Sequence, residues 1–237
     1  MTYSWKNLTI LYEDNHLIAV NKPAGILVQG DETGDTPLVD IVKDYIKIRY
    51  DKPGDVFLGV IHRLDRPVSG VVIFARTSKA LVRMNALFNE RKIQKTYYCI
   101  VQQRPSQLEA VLTDYLVKDH EKNITRAYSH PLSKNKDAKK ATLKYQLVAE
   151  VGKHFLLEVE PETGRSHQIR AQLSKIGTPI RGDMKYGSLT DQKKGSICLH
   201  AYKLEFEHPI KKEKVKIEAM CPKEDIWRLF NDYFIGL

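Results

Sequence analysis

The stretch IHRLDRPVSGVVIFA, Ile61 to Ala75, sets two opposite demands side by side. Its second half, Val71 to Ala75, is a continuous apolar run of the kind that forms a strand buried on both faces. Its first half places Asp65 among His62, Arg63 and Arg66 and closes on Ser69-Gly70. A carboxylate held against buried surface needs cationic company to stay ionised. The strand therefore reads as the interior of the fold, and the turn before it as a place where charge is kept for use.

Working outward, Ser78 begins a helix with Leu81, Met84, Leu87 and Phe88 on one stripe, and Thr96 to Val101 is a β-branched and aromatic strand. Upstream, Leu8 to Tyr12 and His16 to Val20 read as a hairpin around the turn-forming EDN. Thr36 to Tyr50 has helical spacing, with Thr36 as N-cap and Pro37 at the first helical position. Lys118 to Lys144 carries eight Lys or Arg against three Asp or Glu and reads as an exposed, partly mobile loop or hairpin. Beyond it, Ala141 to Val151 and Phe155 to Val159 read as paired strands meeting near Gly152. Arg165 to Ile176 reads as a helix stopped by Gly177. Ile197 to Phe206 and Val215 to Met220 add strands, and Pro222 to Trp227 opens a last helix. Strands outnumber helices and many neighbours read as hairpins. The expected class is α+β, with a mixed, largely antiparallel central sheet flanked by helices, in one domain over residues 1–237.

The chain has 237 residues, 42% hydrophobic, enough for a packed core. Its net charge of +9 suits a polyanionic partner, although charge alone is equally compatible with an ordinary basic protein. The three cysteines, Cys99, Cys198 and Cys221, lack CxxC spacing and read as reduced, buried thiols. No leader-like h-region or membrane-length apolar run is present, so a cytoplasmic protein without membrane contact is expected. Oligomeric state leaves no signal.

Alone, Asp65 would read as a solvated acid; its flanking cations make it a candidate permanently ionised carboxylate, as a nucleophilic Asp must be. A second constellation, ETGRSHQIR at Glu162 to Arg170, follows a strand and opens the later helix. Arg165, His167 and Arg170 supply donors there, and the spacing of three puts His167 and Arg170 on one helix face. Tyr97, in KTYY, could stack a splayed base, or simply be core. His62 and His167 have no HxxxH or HxH partner, so structural hydrogen bonding is the reading for each and no metal site is expected. P-loop, dinucleotide and GxSxG signatures are missing, which argues against NTP hydrolysis, hydride transfer and serine hydrolase chemistry.

HRLD with Ser69-Gly70, KTY at Lys95 to Tyr97 and GRSHQIR at Gly164 to Arg170 occur in the order found in the RluA-like family of RNA pseudouridine synthases, which the chain resembles. NKPAG at Asn21 to Gly25 and GDMKYG at Gly182 to Gly187 resemble two further motifs of that family. The resemblance implies isomerisation of specific uridines to pseudouridine in ribosomal or transfer RNA, in a cleft across the sheet, without cofactor or metal. It implies Asp65 as the catalytic carboxylate, Tyr97 stacked on the target base, and Arg170 as the ion-pair partner of Asp65. Arg63, Arg66, Lys22, Arg165 and His167 are the implied RNA-binding residues. Val68 departs from the family's usual Thr, and the ribosomal-protein S4-type domain that many relatives carry is not matched. The alternative is an RNA-binding or RNA-chaperone module with secondary or lost catalysis; a carboxylate hydrolase is weaker, because no second acid sits in a comparable motif.

Overall fold

A computed structural model describes residues 3–131, 137–190, 195–223 and 225–236. In chain order the elements are β1 (Ile10–Glu13), β2 (Leu17–Lys22), α1 (Leu38–Arg49), β3 (Gly59–Val60), β4 (Ser69–Ala75), α2 (Ser78–Asn89), β5 (Gln94–Val101), β6 (Glu109–Asp119) and β7 (Ile124–Tyr128). They continue with β8 (Lys139–Val151), β9 (His154–Pro161), α3 (Gln168–Lys175), β10 (Leu199–Glu207), β11 (Lys214–Glu218) and α4 (Asn231–Ile235). The architecture is the expected α+β, with mostly antiparallel strand pairing. The chain divides into two compact units, one made of Met1–Gln94 with Ala201–Met220, the other of Lys95–His200 with Cys221–Leu237.

In the first unit the strand order is β1-β2-β4-β10, with β3 on β4 and β11 on β10. All seven residues of β4 are buried, as its unbroken apolar run requires. Leu17 and Ala19 of β2, Val71, Ile73 and Ala75 of β4, and Leu204 and Phe206 of β10 form one apolar cluster with Ala80 and Met84 of α2. The period of two selects the strand residues and the helical stripe selects the others. Thr77 caps α2, its hydroxyl accepting from the Ala80 amide at 3.2 Å. For α1 the expected cap shifts by one residue: Pro37 is the N-cap, without a side-chain bond, and Thr36 lies outside.

The second unit orders its strands β5-β9-β8-β6-β7. The basic segment is folded into sheet: β6 and β7 form a hairpin, and β8 starts at Lys139. Its residues 132–136 lie outside the described ones, as does Glu224 of the expected last helix, where a 3-10 turn (Asp225–Phe230) precedes α4. Gly152, at φ 59°, joins β8 to β9 as the sequence suggests. Cys99, Cys198 and Cys221 form no disulfide and are buried, and burial pushes all three thiols up, Cys198 to about 12.

Gly70 shows what fixes β4. It sits at φ 118°, and a Cβ there would lie 2.2 Å from the carbonyl oxygen and 2.5 Å from the amide nitrogen of Ala201. Neither backbone atom can swing aside. Gly70→Ala is expected to lose about 3 kcal/mol or more of stability, combining a disfavoured φ with a backbone clash. Urea denaturation checks this; a loss below about 1 kcal/mol would mean β10 can retreat without penalty.

Candidate active site

In the first unit the site is built on the turn before β4. Asp65 is half-buried between exposed Arg63 and Arg66, and its carbonyl accepts the Val68 amide at 3.0 Å, closing the turn. Reciprocal bonds fasten that turn to the NKPAG loop. The Gly25 amide donates to the Arg66 carbonyl at 2.8 Å, and Arg66 Nε returns a bond to the Gly25 carbonyl at 3.0 Å. The Arg66 guanidinium also meets Asp35 at 2.6 Å. His62 has a structural place: its Nε2 accepts the Ile73 amide at 3.1 Å and its ring stacks on Phe88.

Lys22 corrects an expectation. It is fully buried, and its ammonium donates to the carbonyls of Pro23 at 3.0 Å, Ile26 at 2.8 Å and Arg66 at 3.1 Å. An ammonium has three donors, and these acceptors use them all. Lys22 therefore presents no charge to a phosphate; it ties the NKPAG loop to the turn that carries Asp65. Burial lowers its pKa from 10.5 to about 7, the Asp65 carboxylate works in the opposite direction, and Arg66 adds to the lowering. Between these values the unfolded chain binds the proton that folded Lys22 gives up, so stability rises with pH across roughly 7 to 10.5. Stability curves of the wild type and Lys22→Met, measured over that window, should diverge by this rise; parallel curves would show that Lys22 keeps an ordinary affinity for its proton.

The second unit holds the other constellation. On β5, Tyr97 is half-buried and lies opposite Val159 of β9; two residues earlier on the same face, Lys95 reaches the Thr163 carbonyl at 3.4 Å. The loop after β9 is organised by buried Gln168, whose Oε1 accepts from Thr163 Oγ1 at 2.7 Å and the Arg165 amide at 3.1 Å. Its Nε2 donates to the Thr142 carbonyl at 3.0 Å. Helix α3 starts only at Gln168, so Arg165 belongs to the loop, where its Nε donates to the Lys140 carbonyl at 3.4 Å. His167 is the N-cap, left-handed at φ 52°, so the helix face expected to carry it with Arg170 does not form.

Arg170 is 5% exposed and forms a forked ion pair with buried Asp183, Nε to Oδ2 at 2.7 Å and Nη2 to Oδ1 at 2.8 Å. Its guanidinium lies 4.8 Å over the Tyr186 ring. The Tyr186 hydroxyl in turn accepts the Thr125 amide of β7 and bonds His167 Nδ1, both at 2.8 Å. His167 and Arg170 are thus gathered around one tyrosine by a contact that helical spacing does not supply. Sequence spacing singles out neither Asp183 nor Tyr186, although both sit in GDMKYG, one of the motifs that carry the family resemblance. Among the described residues, no group of three His, Cys, Asp or Glu could hold a metal ion.

Removing one partner of a buried pair takes the forked partner from the other charge. Asp183→Asn is expected to cost about 3 kcal/mol in urea denaturation, while the double variant Arg170→Met/Asp183→Leu recovers most of it. Equal losses in both variants would show that the pair itself, and not a guanidinium deprived of its forked acceptor, carries the energy.

Comparison with known proteins identifies the class. The family described as RNA pseudouridylate synthase matches residues 16–175. A tRNA pseudouridine synthase C of Haemophilus ducreyi is 35% identical, over 95% of this chain and 96% of its own. A ribosomal large subunit pseudouridine synthase C of Buchnera aphidicola is 34% identical, over 90% and 68%. In fold, human RNA pseudouridylate synthase domain containing 4 superposes with a TM-score of 0.76 at 22% identity, over 96% of this chain and 92% of its own. The chain belongs to the RNA pseudouridine synthase family, in its RluA-like branch. It is an isomerase that converts uridine to pseudouridine, and its partner is RNA.

Proposed function

We propose that the enzyme acts on particular uridines in stem-loops of transfer or ribosomal RNA in the cytoplasm, with Asp65 as its catalytic carboxylate. The observation that carries this reading is the 35% identity to a tRNA enzyme that the chain covers almost end to end. Relatives named for ribosomal RNA support the second substrate. The binding-module alternative is not favoured, since those relatives are named as synthases.

The reaction balances without any added reagent. The bond from N1 of the base to C1′ of the ribose breaks, a bond from C5 to C1′ forms, and the proton on C5 leaves as N1 gains one. A uridine within a stem must first be turned out of the stack, at a cost of a few kcal/mol. Asp65 reacts with the extruded nucleoside, and Tyr97 stacks on its base and assists loss of the C5 proton. Arg63, Arg66, Arg165 and His167 hold the RNA, so affinity falls as salt rises.

Chemical mapping of pseudouridine in total RNA from cells with and without the protein identifies the site, tRNA first. On that RNA, Asp65→Asn is expected to abolish product while affinity stays within about threefold, because a phosphate-holding surface does not need the carboxylate. Tyr97→Phe is expected to bind normally and turn over more slowly. Product from Asp65→Asn would remove that residue from the chemistry, and a normal rate in Tyr97→Phe would limit the tyrosine to stacking.

A further inference from the structure

Resting on the reading of RNA as substrate, we infer that the outer face of the β6–β7 hairpin is a stacking platform for an unpaired base of that RNA. It is built from Tyr115 and Tyr128 and edged by Arg126, Lys140 and Arg165.

Strand periodicity assigns the faces. Asp114 is 4% exposed and accepts from Gln172 of α3 at 2.8 Å, while Leu116 and Ala141 pack with Ala171 of α3 and Tyr186. The even-numbered residues of β6 thus face α3, and Thr113, Tyr115 and Val117 face away from it. The Thr113 and Thr142 hydroxyls, 3.4 Å apart, lie on that outer face. On β7, buried Thr125 and the packed Ala127 turn inward, and alternation about them leaves Arg126 and Tyr128 outward; Ile124, at the strand's first position, also packs inward, so the alternation holds from Thr125 onward.

The register brings these outward residues together. Tyr115 lies opposite Tyr128 on one side and Lys140 on the other, and Val117 lies opposite Arg126. Directly opposed side chains have their Cβ atoms about 5 Å apart, so the two phenol rings occupy one patch. Both tyrosines are half-buried, whereas Arg126 and Lys140 are exposed. Arg165 joins the row through its bond to the Lys140 carbonyl. Asp119, farther along β6, is engaged with its own turn, accepting the Lys122 amide at 3.0 Å.

Two flat rings edged by cations fit a nucleobase with its phosphates better than an apolar protein surface, because the bases stack on the rings and the phosphates meet Arg and Lys. The use is plain for an enzyme that extrudes a nucleotide. A neighbouring base unstacked by the extrusion finds a new ring to lie on, which offsets part of that cost.

The test uses the full chain, a short labelled oligouridylate and a blunt RNA duplex of equal length. Tyr115→Leu/Tyr128→Leu keeps apolar bulk but loses both flat rings; Tyr115→Phe/Tyr128→Phe keeps the rings. The leucine variant is expected to bind the single strand about tenfold more weakly and the duplex within about twofold of wild type, with the phenylalanine variant unchanged on both. Independently of any variant, 5-iodouridine in the oligouridylate should cross-link to Tyr115 or Tyr128 of the wild type. Equal loss on both RNAs, no loss, or no cross-link would overturn the platform even while the wild type makes pseudouridine. A leucine variant that fails to fold leaves the decision to the cross-link. Cross-linking by a wild type that modifies no tRNA or rRNA would sink the substrate reading and leave the platform standing. Failure to bind either RNA would overturn both, and a protein partner lost in the leucine variant at unchanged RNA affinity would overturn the platform.

Discussion

A guanidinium and a carboxylate cost several kcal/mol each to remove from water, and the second unit is arranged so that Arg170 and Asp183 do it together. Such a pair holds only with two good hydrogen bonds and satisfied surroundings. The geometry of everything nearby follows. Asp183 must sit in a turn tight enough to aim both oxygens at α3, and the following residues bring Tyr186 beneath the guanidinium. The Tyr186 hydroxyl then has two neighbours to satisfy it, the Thr125 amide and His167, and the helix start and the β7 strand are held by the same atom.

The first unit solves a related problem differently. Lys22 is a buried cation answered by three carbonyl dipoles instead of a direct salt bridge. Dipoles compensate an ammonium less fully than an adjacent carboxylate does, which is consistent with its lowered pKa. What the arrangement gains is rigidity: two side chains, Lys22 and Arg66, and one backbone bond join the NKPAG loop to the Asp65 turn. Gly70 adds a steric limit on the other side, where no side chain fits against Ala201.

Much of this was legible in the sequence, and the reasons are specific. The β4 strand announced itself because a segment covered on both faces is apolar throughout. The hairpin of β1 with β2 and the pairing of β8 with β9 followed from turn residues between short β-rich runs. Gly70 was visible as part of a motif, but its reason, a backbone from more than a hundred residues later, was not. Lys22 was misread because a lysine beside a Pro-Gly loop has the composition of a phosphate contact, and only three-dimensional placement reveals carbonyls on every side. The start of α3 was misplaced since Gln168, not Arg165, carries the bonds that organise the loop, and a left-handed His167 leaves no periodic trace. Asp183 escaped for a related cause: it meets Arg170 across an irregular turn, where no spacing rule applies.

The three thiols have a practical meaning. Cys99, Cys198 and Cys221 all belong to the second unit, all are buried, and all are kept protonated by their surroundings. A thiol in that state is a poor nucleophile towards oxidants and alkylating reagents. Mild oxidation of the folded enzyme therefore has no ready target among its cysteines, and their modification follows opening of that unit. The chain carries its own chemical clock for the loosening of one half of itself, silent while the interior is shut.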